Sequence, residues 1–136
     1  MKLKGYLTDS AKTHLAIEGF EYVADRPVAD GGENTGMSPH GYLLASIAGC
    51  KMMVAESYLR ANGHAFEKVE AEAESELQGA RRNETIDIVV QMRVHGADLT
   101  ETNERHLNQI VESACLMGNL LTAGGKNTVT THIVVE

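Results

Sequence analysis

The sequence predicts a single α+β domain over residues 1–136, with antiparallel sheets, a long central helix and a second helix. Three observations carry this expectation. Residues 41–61 set apolar side chains at a spacing of three to four, the period of one helical face. Residues 69–77 and 86–94 alternate, the period of a half-buried strand. The segments run short strands, long helix, two strands, helix, strand, an order that gathers helices against a sheet.

The elements follow in turn. Thr13 to Glu18 and Phe20 to Val23 flank the breaker Gly19, so the first 24 residues read as a hairpin or meander. Residues 25–37 hold Pro27, Gly31, Gly32 and Gly36 among Asp and Asn, the chemistry of a loop. The loop lacks GxxxxGK[ST] spacing, so it reads as a plain loop rather than a phosphate cradle. Ser38 can cap a helix and Pro39 suits its first position. Leu43, Ile47, Cys50, Val54 and Tyr58 then share one face, and Asn62-Gly63 supplies the stop.

In 69–77 every even position is Glu and every odd one apolar or small, which would let a helix approach the inner face closely. Ile86, Ile88, Val90, Met92 and Val94 form the matching face of the next strand. Arg81-Arg82-Asn83 makes the turn, so the two strands should pair antiparallel. Arg93 should lie near the Glu row on a solvated charged face, where such pairs contribute only about 0–1 kcal/mol. A second helix should run from Thr100 to about Met117 with Leu107, Ile110, Val111 and Ala114 inward and Cys115 at the stripe's edge. Residues 127–135 close the chain as a strand.

Composition narrows the function. The chain carries 12 basic and 19 acidic residues, a net charge of −7, which disfavours a phosphate backbone as partner. With no Trp, a base-stacking platform is also disfavoured, so no nucleic acid is expected. No run approaches the roughly 20 apolar residues that span a bilayer, and no apolar core follows Lys2 and Lys4 as in a secretory signal. A cytoplasmic protein with no membrane partner is the expectation.

Chemistry could reside in Cys50 and Cys115, the only two cysteines. A free cysteine often packs as a small hydrophobe. A reactive one needs its thiolate stabilised by a nearby cation. Arg26, Arg60, Arg81, Arg82, Arg93 and Arg105 are the candidates, and the sequence does not choose among them. His40 opens the long helix ten residues before Cys50, about 15 Å of helical rise. A joint role would require a break after Pro39 or a second subunit. His14, His64, His95, His106 and His132 show no ligand spacing, so neither a metal nor a cofactor is expected. Met52, Met53, Met92 and Met117 read as core filler. Asn83-Glu84-Thr85 matches a glycosylation sequon by chance.

The stretch Gly31-Gly32-Glu33-Asn34, Ser38-Pro39 and Leu43-Leu44-Ala45-Ser46-Ile47-Ala48-Gly49-Cys50 resembles the OsmC/Ohr family of osmotically induced and organic-hydroperoxide-resistance proteins. Ala114-Cys115 near the end of a later helix extends the resemblance over essentially the whole chain. The resemblance implies an OsmC-like fold in an intertwined homodimer with active sites between subunits. It implies that Cys50 is the peroxidatic cysteine and Cys115 the resolving one. A hydroperoxide would oxidise Cys50 to a sulfenic acid, Cys115 would condense with it, and a dithiol reductant, often lipoyl-linked, would reopen the disulfide. His40 and Arg26 are the supporting candidates. The chain departs from the peroxidase branch at three places. His40 stands where that branch has Glu, no Arg precedes Arg26, and Leu116 rather than Pro follows the second cysteine. These departures sustain an alternative, a non-enzymatic redox-responsive or apolar-ligand-binding dimer. An acyl-thioester hydrolase lacks a strand-borne acidic constellation here.

Overall fold

The computed structural model describes residues 1–8 and 11–136, and divides into two compact units, Met1–Leu43 and Leu44–Glu136. The first unit holds a three-stranded antiparallel meander: β1 (Leu3–Leu7), β2 (Thr13–Ile17) and β3 (Phe20–Ala24). The expected hairpin pattern is present. Glu18 and Gly19 both take positive φ at the tight β2–β3 turn. Asp9 and Ser10, within the stretch expected to be strand and turn, lie outside the described residues.

The loop after β3 contains one turn of 3-10 helix, Val28–Asp30, and is organised by Asp25. That carboxylate is 3% exposed. It accepts from the Arg26, Glu33 and Thr35 amides and from the Thr35 hydroxyl. Gly32 is fixed by close approach, because a Cβ there would stand 2.0 Å from the Arg26 carbonyl oxygen. The three amides converge on the chain's own carboxylate, which accounts for the loop without a phosphate.

α1 (Pro39–Ala61) begins at the expected signal: Ser38 Oγ accepts from the Gly41 amide at 3.1 Å. It ends just before Asn62, whose side chain donates to the Tyr58 carbonyl. The inward row differs from the expected one. Ile47, Lys51, Ala55 and Leu59 are the buried positions, while Cys50, Val54 and Tyr58 are only half-buried. The reason is Lys51, a residue that reads as polar in a pattern but finds partners inside.

β4 (Lys68–Gln78) and β5 (Thr85–His95) pair antiparallel in full register from Lys68 opposite His95 to Gln78 opposite Thr85. Ile86, Ile88, Val90, Met92 and Val94 are all buried, as the alternation requires. β6 (Thr128–Val135) joins β5 in parallel, so this sheet is mixed rather than wholly antiparallel. The connection explains it. A helical crossover separates β5 from β6, and such a crossover returns the chain to lie parallel. That crossover is two helices, not one: α2 (Glu101–Ala114) and α3 (Leu116–Thr122), with Cys115 extended between them. Thr100 caps α2 by accepting from the Asn103 amide at 3.2 Å.

The core of the second unit gathers Ala55 and Leu59 of α1, Met92 and Val94 of β5, and Leu107 and Val111 of α2. Burying each of the larger side chains is worth about 1.5–3 kcal/mol. These contacts fix α1 and α2 on one face of the sheet, which brings the two cysteine-bearing segments together.

Candidate functional site

Cys50 sits at mid-length on α1, half-buried, and Cys115 sits in the single extended residue between α2 and α3 with no exposed surface. Both are free thiols, and their side chains are hydrogen-bond partners. The sequence placed Cys115 late in one continuous helix. In the structure the helix is interrupted there, and the interruption gives the residue its chemistry.

Three successive amides at the start of α3 point at sulfur. The Leu116 and Met117 N–H groups donate to Cys50, and the Gly118 N–H donates to Cys115 Sγ at 3.3 Å. Gly118 permits the approach, since a Cβ there would lie 3.3 Å from that sulfur. Helix N-terminal amides carry partial positive charge and favour an anion. The carbonyls at the end of α2 are satisfied separately. Asn119 Nδ2 donates to the Ser113 carbonyl at 2.9 Å and Lys51 Nζ to the Val111 carbonyl at 3.4 Å.

These surroundings separate the two thiols. Burial pushes the Cys50 thiol up, but the Met117 amide, the Cys115 thiol, the Leu116 amide and the Lys51 charge together hold it below the ordinary thiol range. Burial pushes Cys115 up, the Gly118 amide pulls it down, and the hydrogen bond and charge of Cys50 raise it, leaving it above that range. The surroundings thus favour the charged form at Cys50 and disfavour it at Cys115.

Beside Cys50 lies an open groove of about 440 Å³, walled by Met53, Val54, Tyr58, Ile110 and Ala114. The Tyr58 hydroxyl donates to the Asn103 carbonyl. The groove is apolar where it meets the sulfur.

The supporting candidates fall elsewhere in the chain. Arg26, with an exposed side chain, and His40, half-buried at the second position of α1, belong to the first unit. The helix runs unbroken from Pro39 to Ala61, so there is no break after Pro39 to fold His40 back. Arg60 pairs with Glu56 and lies over the Phe66 ring. Arg93 is opposite Glu70 in register, as expected, but Glu70 takes its ion pairs from Lys68 and His95. Arg81 and Arg82 lie in the exposed β4–β5 turn, and Arg105 bonds Thr102 on exposed α2. The cation beside the thiols is Lys51, which sequence reasoning missed. Its signal was present in one place: it falls at i+4 from Ile47 and i−4 from Ala55, in the row that is buried. Among the described residues no cluster of three or more His, Cys, Asp or Glu could hold a metal.

Fold and site together define a small α+β protein with a hydrogen-bonded dithiol at a helix break. The OsmC-like protein family matches residues 31–131, and the chain belongs to that family. Solved structures agree on the fold. An OsmC-like protein from Mycoplasma pneumoniae superposes with a TM-score of 0.83 at 16% identity, covering 98% of this chain and 95% of the other. An osmotic stress induced and detoxification response protein from Psychrobacter arcticus gives 0.79 at 14%, covering 100% and 96%. An organic hydroperoxide resistance protein OsmC from Legionella pneumophila gives 0.76 at 16%, covering 98% and 96%. Among curated proteins no sequence match is found. Family membership supports a general role in redox or peroxide response. No helix among the described residues is long and apolar enough to cross a membrane.

Proposed function

We propose that the protein is a cysteine-based hydroperoxide reductase in which Cys50 attacks and Cys115 resolves. The observation that supports it is the hydrogen-bonded thiol pair, with the accessible member lowered and the buried member raised. The Cys50 thiolate attacks the terminal oxygen of R–OOH. The O–O bond breaks, Cys50 becomes the sulfenic acid, and the alkoxide leaves as ROH after taking a proton. The Cys115 sulfur then attacks the Cys50 sulfur. The Cys115 proton and the sulfenic hydroxyl leave as water, and a disulfide forms. A dithiol reductant, lipoyl-linked in this reading, exchanges with that disulfide, restores both thiols and is itself oxidised. The apolar groove walled by Met53, Val54 and Ile110 favours organic hydroperoxides over hydrogen peroxide. No cofactor takes part. In this reading residues 1–136 act as one OsmC-like domain in a cytoplasmic homodimer.

The test is titration of the reduced protein with one equivalent of cumene hydroperoxide, read by intact mass after alkylation. The expected product is a Cys50–Cys115 disulfide at the loss of both thiols. Cys50→Ser should consume no peroxide, and Cys115→Ser should turn over once and then over-oxidise. Both thiols surviving excess peroxide would remove the reductase. The same groove would then favour the second reading, a dimer that binds an apolar ligand and reports redox state.

A further inference from the structure

We propose that Lys51, held by the Val111 carbonyl and the Glu112 carboxylate, is the positioning residue of the thiol pair: its buried ammonium stabilises the Cys50 thiolate and ties α1 to the turn of α2 that leads into Cys115. The inference rests on the reading that Cys50 is the reactive thiol.

The geometry is a chain of three contacts across three elements. Thr131 of β6 donates its amide to Glu112 Oε1 at 2.6 Å. Glu112 of α2 reaches Lys51 Nζ with Oε2 at 3.8 Å. Lys51 of α1 donates to the Val111 carbonyl at 3.4 Å. Lys51 thus follows Cys50 directly in α1 and bonds a carbonyl four residues before Cys115, while the far end of the chain is anchored at Thr131 in β6. Lys51 is 1% exposed while Glu112 is 42% exposed. The lysine head group thus lies inside the fold while its carboxylate partner reaches the solvent. The Lys51 charge acts on both sulfurs in the direction of the thiolate.

The cation's surroundings support the assignment. The groups acting on Cys50 are Cys115 and the α3 amides from the helix break and Lys51 from its own helix, with Tyr58 in the wall of the same groove and Glu112 paired with Lys51. Lys51 is the only cation among them. A purely structural lysine would serve through its stem and its hydrogen bond to Val111. Lys51→Gln separates the roles, because the amide can still donate to that carbonyl but carries no charge.

The experiment follows the rate of Cys50 alkylation by iodoacetamide against pH in the full chain, with Cys115→Ser as background and thermal melts to verify folding. No peroxide is involved, so the result is independent of the reductase reading. Lys51→Gln should slow alkylation at pH 7 about twofold, corresponding to a thiolate midpoint raised by roughly 0.3 units. Lys51→Met should do the same, and Lys51→Arg should return the rate to near that of the parent. Folded Lys51→Gln protein with an unchanged rate and midpoint overturns the inference, as does equal slowing in Lys51→Arg. A shifted midpoint in a protein whose Cys50 ignores hydroperoxide upholds the lysine's role and removes the reductase instead.

Discussion

Two cysteines show how environment, not residue type, sets chemistry. Cys50 and Cys115 are the same side chain, yet amides and Lys51 pull one down while burial and its neighbour push the other up. Asp25 makes the same point away from the thiols. Hydrogen bonds from the Thr35 hydroxyl, then from the Thr35, Arg26 and Glu33 amides, hold its carboxyl at about 2, against an ordinary 3.8. The folded value is the lower one. Its stabilisation is thus complete above pH 3.8 and is lost as pH falls through about 2. Asp25→Asn should therefore be less stable than the parent at neutral pH, with the gap closing between pH 4 and pH 2 (window from the Asp25 values). Denaturant melts across that range check it, and a gap independent of pH would mean that the charge does not organise the loop. The sequence marked this loop by its glycines and missed its anchor, because a lone Asp in a loop has no pattern.

At the scale of elements, the break between α2 and α3 decides the site. An unbroken helix through Met117 would spend the amides of 116–118 on its own carbonyls. Cys115, extended at ψ 103, frees them for sulfur. Leu116 occupies the first position of α3 with its side chain 63% exposed. Proline fits such a position, having no amide hydrogen to lose to the helix. Here that amide donates to Cys50. Leu116→Pro should accordingly fold normally and slow Cys50 alkylation at pH 7 roughly threefold, since one hydrogen bond to the anion is gone. Faster or unchanged alkylation would show that the Met117 amide alone suffices. The break itself was not legible. The 3.6-residue period of Leu107, Ile110, Val111 and Ala114 runs smoothly into Cys115, and Gly118 gave only a vague interruption.

For the whole molecule, the first unit poses a physical question to which the proposed homodimer is an answer. Among its described residues only Ala24 and Asp25 are buried, and its three strands expose Leu3, Tyr6, Leu7 and Phe20. A three-stranded sheet needs a covered apolar face to be stable. A second copy of the chain is the cover that the proposed homodimer supplies. Sedimentation equilibrium should then give twice the 14.7 kDa chain mass. Tyr6→Glu with Phe20→Glu should shift it toward the single chain, and a monomeric parent protein would rule the dimer out.

By itself the sequence determined the strands, the long helix, the family and the two cysteines worth watching. Those are local facts: period, turn chemistry, capping residues and motif spacing are written in neighbouring positions. The parallel docking of β6, the helix break at Cys115 and the burial of Lys51 were decided only by tertiary structure. Each depends on groups distant in the chain. Lys51 could be buried because the Val111 carbonyl and Glu112 lie 60 and 61 positions away, and only folding brings them to it.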